Sequence, residues 1–246
     1  MLYLKNERIK EASGICRSLR NKTDYYTHED SGNLPYIFGF NELGDNLGTI
    51  VMSGKSLDNE DISSAVINGL PTIILADIGD NSLVRTSFTI RVVIEPEAIT
   101  PALVPYSQIN FKYPDGFHNA EACALLDDGR IIIVTKNYPR GNTGVYVLES
   151  SLSGASSTIC TKIKDLSVGT VTGMDLSADQ TEMVVLANGY AHFFSWPSLA
   201  FKRKVKLPIM YQPEGICYSH AGNSLLVCSE TNKTTGARTP LYSVPI

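Results

Sequence analysis

The sequence of 246 residues has no long apolar run and no excess of basic residues. A membrane-spanning helix needs about 18 or more consecutive apolar residues. The N-terminus also lacks the apolar core and cleavage site of a signal peptide. Acidic residues outnumber basic ones, 25 to 21, for a net charge of −4. We therefore expect a soluble, cytoplasmic chain that binds neither membrane nor nucleic acid; a trimmed secreted protein is the alternative.

Cysteine pairs and the common catalytic motifs are also missing. The five cysteines form no C-x-x-C pair, and most lie in apolar segments, which predicts buried, reduced thiols. There is no G-x-S-x-G, no P-loop, no H-E-x-x-H and no G-x-G-x-x-G. Their absence argues against serine hydrolysis and nucleotide-cofactor chemistry.

Many short segments rich in Val, Ile, Tyr and Phe are present, bounded by Gly, Pro, Asn and Asp. Examples are Thr72–Ala76, Arg130–Thr135 and Ser224–Cys228. This pattern is typical of short β-strands, and helical periodicity is almost absent. No linker-like stretch divides the chain, so we expect one all-β domain over residues 1–246.

An internal repeat makes the fold specific. Five segments share an oxygen-bearing residue, a second residue that is mostly small, and an apolar residue: Ser13-Gly14-Ile15, Glu60-Asp61-Ile62, Glu121-Ala122-Cys123, Thr172-Gly173-Met174 and Glu214-Gly215-Ile216. Successive repeats begin 47, 61, 51 and 42 residues apart. A four-stranded propeller blade takes about 40–50 residues. The longest interval contains the Pro-rich stretch Glu95–Pro105, which we interpret as a loop insertion.

These repeats predict a five-bladed β-propeller with four antiparallel strands in each blade. In the third blade we expect strands at Glu121–Leu126, Arg130–Lys136, Gly144–Leu148 and Thr158–Lys164. After Glu214 there is room for only three strands, and one spare strand, Leu2–Ile9, precedes Ser13. The N-terminal strand should therefore complete the last blade and close the ring.

The repeat starts should meet around the central channel, because the innermost strand of every blade lines it. This predicts a ring of oxygen-bearing residues at one mouth: Ser13, Glu60, Glu121, Thr172 and Glu214. Three carboxylates at close range would repel one another unless a cation joined them. Ca²⁺, which takes six to eight oxygen ligands, suits this set better than Zn²⁺. The alternative is a water-filled channel whose carboxylates pair with Lys or Arg.

The ends of the second strands should add an outer circle at the same mouth. From it we select His28, Asp30, Asp77 and Lys136 as candidate catalytic residues. His28 is either a base or a turn residue, and Lys136 either pairs an anionic substrate or is a solvated surface charge. The acidic segments are also common turn formers.

Two resemblances follow from these motifs. The order of S-G-I, D-I-G-D-N, Y-P-D-G-x-x-x-A-E-A and P-E-G-I along the chain resembles a largely uncharacterised family of bacterial β-propeller proteins. More distantly, the ring is similar to that of the calcium-activated nucleotidases (apyrases), five-bladed propellers that hydrolyse nucleoside di- and triphosphates. That resemblance implies Ca²⁺ at the five ring residues and an active site at the turn Asp30-Ser31-Gly32. Thr172 replaces a Ser of that family, and the Arg of its acidic turn has no counterpart.

Three functions remain open from the sequence. The first is a Ca²⁺-dependent phosphohydrolase acting on a nucleotide or another phosphoanhydride or phosphoester. The second is a non-catalytic propeller with structural Ca²⁺ that binds a small anionic ligand or a protein partner. The third is a lactonase or esterase, which five repeats and few histidines disfavour. The sequence does not predict an oligomeric state.

Overall fold

Five β-sheets arranged as a ring make up the computed structural model of the chain, as the repeat predicts. The structure describes residues 1–30, 32, 34–100, 102–138, 142–149, 158–231, 234 and 238–246. Each sheet is one blade with four antiparallel strands, and one of the five sheets gains a short fifth strand that pairs in parallel. Within these residues there is no helix with the length and apolar character to span a membrane.

The strands follow chain order within the blades. Blade 1 contains β2 (Ala12–Arg17), β3 (Asp24–Glu29), β4 (Tyr36–Asn41) and β5 (Asn46–Val51). Blade 2 contains β6 (Asn59–Ile67), β7 (Leu70–Asp77), β8 (Phe88–Ile94) and β9 (Ser107–Lys112). Blade 3 contains β10 (Ala120–Leu125), β11 (Ile131–Thr135), β12 (Thr143–Leu148) and β14 (Thr161–Leu166). Blade 4 contains β15 (Val171–Leu176), β16 (Glu182–Ala187), β17 (Tyr190–Ser195) and β18 (Phe201–Lys206). Blade 5 contains β19 (Pro213–Tyr218), β20 (Ser224–Ser229), β21 (Pro240–Pro245) and β1 (Leu2–Tyr3).

The N-terminus closes the ring, as predicted. Strand β1 pairs antiparallel with β21, so that Leu2 lies opposite Leu241. The strand is shorter than the predicted Leu2–Ile9, because the chain turns after it and Ile9 N donates to Asn6 O. Leu4 and Ile9 are instead buried in the core between blades 5 and 1. Blade 5 therefore contains strands from both ends of the chain.

The predicted strand Thr158–Lys164 is divided in two. Its first part, β13 (Thr158–Ile159), pairs parallel with β9 and so extends blade 2 to five strands. Its second part belongs to β14, the outer strand of blade 3. The break falls at Cys160, whose N–H donates to Lys112 O and whose thiol is buried between blades 2 and 3. All five cysteines are free and buried, as predicted.

The core lies between neighbouring blades, because both faces of every sheet are covered. In β7, Ile73 and Leu75 pack toward blade 1, whereas Ile74 and Ala76 pack toward blade 3. This two-sided burial explains why the segment is an unbroken apolar run and does not alternate. The predicted insertion Glu95–Pro105 connects β8 to β9 and covers the outer edge of blade 1, where Val104 N donates to Val51 O.

Candidate metal centre at the channel mouth

The five innermost strands, β2, β6, β10, β15 and β19, contact one another in a closed ring around the channel. Each has a β-bulge at its start. In four blades the extra residue is the predicted ring residue: Glu60, Glu121, Thr172 and Glu214. In blade 1 the register shifts between Ser13 and Ile15. Because a bulge redirects a side chain away from the regular pleat, these repeated bulges place all five ring residues at one mouth.

The residues after the ring let neighbouring backbones approach closely. A Cβ on Gly173 would lie 2.8 Å from Glu214 O, and one on Gly215 would lie 2.7 Å from Gly14 C. Asp61 takes the equivalent place in blade 2, is buried, and accepts hydrogen bonds from Ile62 N (2.8 Å) and Cys123 N (2.7 Å). The channel is therefore filled directly beneath the ring.

The two ring hydroxyls join neighbouring blades. Ser13 Oγ donates to Glu60 O at 3.0 Å, and Thr172 Oγ1 donates to Pro213 O at 2.7 Å. Each hydrogen bond links consecutive innermost strands, from blade 1 to blade 2 and from blade 4 to blade 5. The lone pairs of both oxygens remain available as acceptors or ligands.

Three carboxylates converge most closely at the mouth. Asp30, Asp58 and Glu60 each offer an oxygen, and these oxygens all lie within 4.8 Å of one another. We call this set the carboxylate cluster. Its members come from the end of β3, the segment before β6, and the bulge of β6. Oxygen-only donors at this spacing suit a hard cation such as Ca²⁺.

Of the other two ring carboxylates, Glu121 acts on the cluster through its charge, and Glu214 is affected by Glu121 in turn. Burial raises the pKa of Glu60 well above its ordinary value, and the nearby charge of Glu121 raises it further. Burial, followed by the charge of Glu121, raises the pKa of Glu214 to about 8. Burial and the charge of Asp30 raise the pKa of Asp58 to about 6. In Asp58, Glu60 and Glu214, burial and a neighbouring carboxylate thus both disfavour the ionised form.

One cation reaches the ring among the described residues. Lys136 Nζ lies 2.9 Å from Glu121 Oε1, and Asn119 Nδ2 donates to the same oxygen at 3.2 Å. The sequence left open a channel whose carboxylates pair with Lys or Arg, and Glu121 does pair with Lys136. Among the described residues, Arg85 is a second cation near the carboxylate cluster, since its charge lowers the pKa of Asp58; carboxylates still outnumber these two cations.

Asp77 lies behind the cluster and supports it. Its carboxylate accepts hydrogen bonds from Leu57 N (2.9 Å) and Asp58 N (3.1 Å), and it pairs with Arg85 at 2.9 Å. Both oxygens are therefore occupied within the protein. Asp77 holds the segment that carries Asp58, and its predicted catalytic role stays a prediction.

His28 is fully buried within β3 and does not lie in a turn. Its Nδ1 is 2.9 Å from Glu29 O, and Nε2 has no hydrogen-bond partner within the described part of the chain. Burial lowers the pKa of His28 to about 4, so its imidazole is neutral at pH 7. Its Nε2 faces Gly14, at 2.7 Å from where a Cβ would be. Of the four predicted catalytic residues, Asp30 alone belongs to the carboxylate cluster; Ser31 of its turn lies outside the described residues.

Sequence reasoning missed Asp58, which precedes the repeat start by two residues. The structure also explains Gly79 in D-I-G-D-N: a Cβ there would fall on carboxylate oxygens of both Asp58 and Glu60. Only glycine leaves the space these two oxygens share. The signal in the sequence was the acidic residue Asp58, two positions before Glu60.

No protein-family model and no curated protein matches the sequence. Among solved structures, the chain is similar to one described as the structure of U3-55K, with a TM-score of 0.46 and 12% identity over 96% of this chain and 68% of that one. It is similar to the RRP9 WD40 repeats with a TM-score of 0.48 and 12% identity over 95% and 67%. A third, the Dos1 propeller, gives a TM-score of 0.45 and 12% identity over 89% of this chain and 53% of that one.

Proposed function

We propose that this β-propeller binds a Ca²⁺ ion at the channel mouth and, through the ion, a small anionic ligand. The observation that carries the proposal is the carboxylate cluster, with three carboxylate oxygens within 4.8 Å of one another. Asp30, Asp58 and Glu60 would hold the ion, with Glu121 and Glu214 completing the negative field around it. All the donors are oxygens, and Gly79 keeps the space between two of them open.

A bound ion would add positive charge where, among the described residues, carboxylates outnumber the nearby Lys136 and Arg85. It would also attract carboxylate or phosphate oxygens of a ligand that the acidic mouth would otherwise repel. Lys136, whose side chain is 17% exposed, would offer N–H donors to the same ligand beside Glu121. Ser13 and Thr172 keep the blades in register beneath this surface.

Calorimetric titration of the metal-free protein with Ca²⁺ tests the proposal. We expect one site per chain. Asp30→Asn should weaken Ca²⁺ binding, whereas Glu97→Gln, which alters an exposed carboxylate between β8 and β9, should leave it unchanged. Mg²⁺ should bind more weakly, because it demands a tighter octahedral shell and gives up water reluctantly. Absence of Ca²⁺ binding, or equal binding by the Asp30→Asn variant, would refute the proposed site.

Hydrolysis of a phosphoanhydride or phosphoester, as the sequence predicts, is the second candidate function. The position of Asp30 favours it, because this predicted catalytic carboxylate belongs to the carboxylate cluster and is only partly buried. It ranks second because Asp77 is occupied, His28 is buried and Lys136 is paired. Phosphate release should be measured from ATP, ADP, pyrophosphate and an aryl phosphate with Ca²⁺ bound. Ca²⁺ binding without turnover of any of these substrates would contradict hydrolysis and support the binding role.

A further inference from the structure

A second cavity opens at the end of the channel opposite the metal centre. Its volume is about 310 Å³, and it is lined by the C-terminal ends of β2, β6, β10 and β15 together with adjoining loops. A volume of this size falls at the lower end of the range for small-molecule sites. Accessible apolar residues in its lining include Leu19, Val66 and Ala178, whereas polar groups gather at its base and rim.

Arg17 forms the charged base of this cavity. Its NH2 donates to Leu176 O at 2.8 Å and lies 3.6 Å from Asp175 Oδ2. Arg17 belongs to blade 1 and both partners belong to blade 4, so the side chain crosses the channel between blades that are not neighbours. Ser64 Oγ also donates to Arg17 O at 2.7 Å. The guanidinium is thus held in one place and is only 13% exposed.

Arg17 is alone among the equivalent positions in carrying a positive charge. The other blades have Ser64, Leu125, Leu176 and Tyr218 at this level. Asp175 is partly committed elsewhere, since its Oδ2 accepts a hydrogen bond from Tyr218 N at 2.9 Å. Within the described part of the chain, Nε and NH1 of Arg17 have no hydrogen-bond partner and are not among the fully buried orphans.

Charges at the rim are of both signs. Lys22 and His220 line the cavity on one side and Asp127 lines it on another. His220 is tied to blade 1, with Nε2 2.9 Å from Asp24 O. The cavity therefore combines one fixed guanidinium, one flexible ammonium and apolar walls, whereas the opposite mouth carries a concentration of carboxylates.

We propose that this cavity binds a small organic monocarboxylate with an apolar body, its carboxylate received by the free N–H groups of Arg17. A planar guanidinium matches the two oxygens of a carboxylate, and such charge-assisted hydrogen bonds are strong in a partly desolvated site. A single fixed Arg beside Asp175 gives too little positive charge for a dianionic phosphate. Leu19 and Val66 would contact the apolar body.

This site is independent of the metal centre. Buried Asp61 and the layers around it fill the channel between the two ends. Binding of the carboxylate should therefore be the same in Ca²⁺ and in EDTA. That independence separates failure of this proposal from failure of the proposed metal site.

Fluorine NMR of para-fluorobenzoate tests the proposal, with para-fluorobenzamide as the uncharged control of the same shape. We expect the benzoate signal to broaden in the presence of the full chain, in EDTA, and to recover when hexanoate is added. The benzamide signal should stay sharp. Arg17→Gln should weaken benzoate binding by about tenfold or more, as expected for loss of a charge-assisted pair.

A second variant covers the case in which Arg17→Gln fails to fold. Ala178 is exposed at the edge of the cavity, so Ala178→Trp should block it without touching the Arg17–Asp175 pair. Ala102→Trp makes the same change at an exposed position that does not line the cavity and should bind benzoate normally. Equal binding of benzoate and benzamide, unchanged binding by Ala178→Trp, or no broadening by the wild-type chain would mean that Arg17 only closes the channel.

Discussion

The two ends of the central channel are built by the same five strands but differ in how their charges are balanced. At the mouth with the carboxylate cluster, Asp30, Asp58, Glu60, Glu121 and Glu214 outnumber the nearby cations of the described residues, Lys136 and Arg85. At the opposite end, Asp175 faces Arg17 across the axis and also accepts a backbone hydrogen bond. Removing a carboxylate should therefore relieve repulsion at the first end and strand a cation at the second. In metal-free protein, removing a carboxylate should raise stability at the first end and lower it at the second.

The largest expected effect comes from the double variant Asp58→Asn with Glu60→Gln. It removes two of the three clustered charges while keeping their shapes, so Ca²⁺ affinity should fall by about 100-fold or more. In EDTA the variant should melt at a higher temperature than wild type, because two mutually repelling carboxylates, one buried and one half-buried, are gone. Calorimetric titration and thermal unfolding measure the two effects.

The matched change at the opposite end is Asp175→Asn. It should leave Ca²⁺ affinity unchanged and lower the free energy of unfolding by about 1–3 kcal/mol, because Arg17 loses its partner in a partly buried site. If both variants lost stability in EDTA, the carboxylate cluster would be balanced in the metal-free protein. The comparison between the two ends would then be wrong.

The next effect concerns the space between two carboxylates. Gly79→Ala places a methyl group on oxygens of Asp58 and Glu60, which must move apart. We expect Ca²⁺ affinity to fall by about tenfold and stability by about 1–3 kcal/mol. Gly79 has no positive φ, so the cost there comes from this contact; Gly69→Ala, at a φ of 79° and with nothing within 4 Å of a Cβ, is the opposite case and reports backbone strain alone. A Gly79→Ala protein with full Ca²⁺ affinity would show that these oxygens do not share an ion.

The pH dependence of stability should be larger without metal. Glu214 has a pKa of about 8 in the folded protein against an ordinary 4.5. Its raised pKa stabilises the fold below about pH 4.5, and that contribution is lost as the pH rises through 8. A tenfold difference in proton affinity between the folded and unfolded chain is worth about 1.4 kcal/mol. In EDTA, Tm should therefore fall between these pH values, and Ca²⁺ should reduce the fall by replacing protons.

Glu214→Gln provides the control for this pH effect. The variant cannot ionise at that position, so its Tm in EDTA should change less across the same pH range. Parallel curves for wild type and variant would show that the Glu214 carboxyl is ionised at neutral pH even without metal. In that case Lys136 would already neutralise its surroundings.

The sequence predicted the fold well because a propeller repeats its local pattern. The spacing of Ser13, Glu60, Glu121, Thr172 and Glu214 set the number of blades, and the count of strands after Glu214 predicted closure by the N-terminus. What it could not predict were details set by neighbouring blades. The division at Cys160, for example, depends on a hydrogen bond to Lys112, 48 residues earlier in the chain.

The site was predictable only where it follows the repeat. All five ring residues lie at one mouth, but Asp58 belongs to no repeat and was missed, although it stands in the closest group of carboxylates. The hydrogen bonds that occupy Asp77 come from the backbone of Leu57 and Asp58, in the segment before β6, and His28 is buried with its Nε2 facing Gly14 of β2. Repeat counting locates a ring, whereas residues outside the repeat, such as Asp58, decide where its carboxylates come closest together.

The smallest expected effect comes from the ring hydroxyls, which the sequence predicts as metal ligands. Ser13→Ala and Thr172→Val each remove one hydrogen bond between neighbouring blades, which should cost about 0.5–1.5 kcal/mol of stability. Because the carboxylate cluster includes neither residue, Ca²⁺ affinity should change by less than about threefold. Thr172→Ser, which keeps the hydroxyl, should retain wild-type stability more closely than Thr172→Val. A tenfold or greater loss of Ca²⁺ affinity in Ser13→Ala or Thr172→Val, with stability unchanged, would instead place the ion on the channel axis within reach of all five blades.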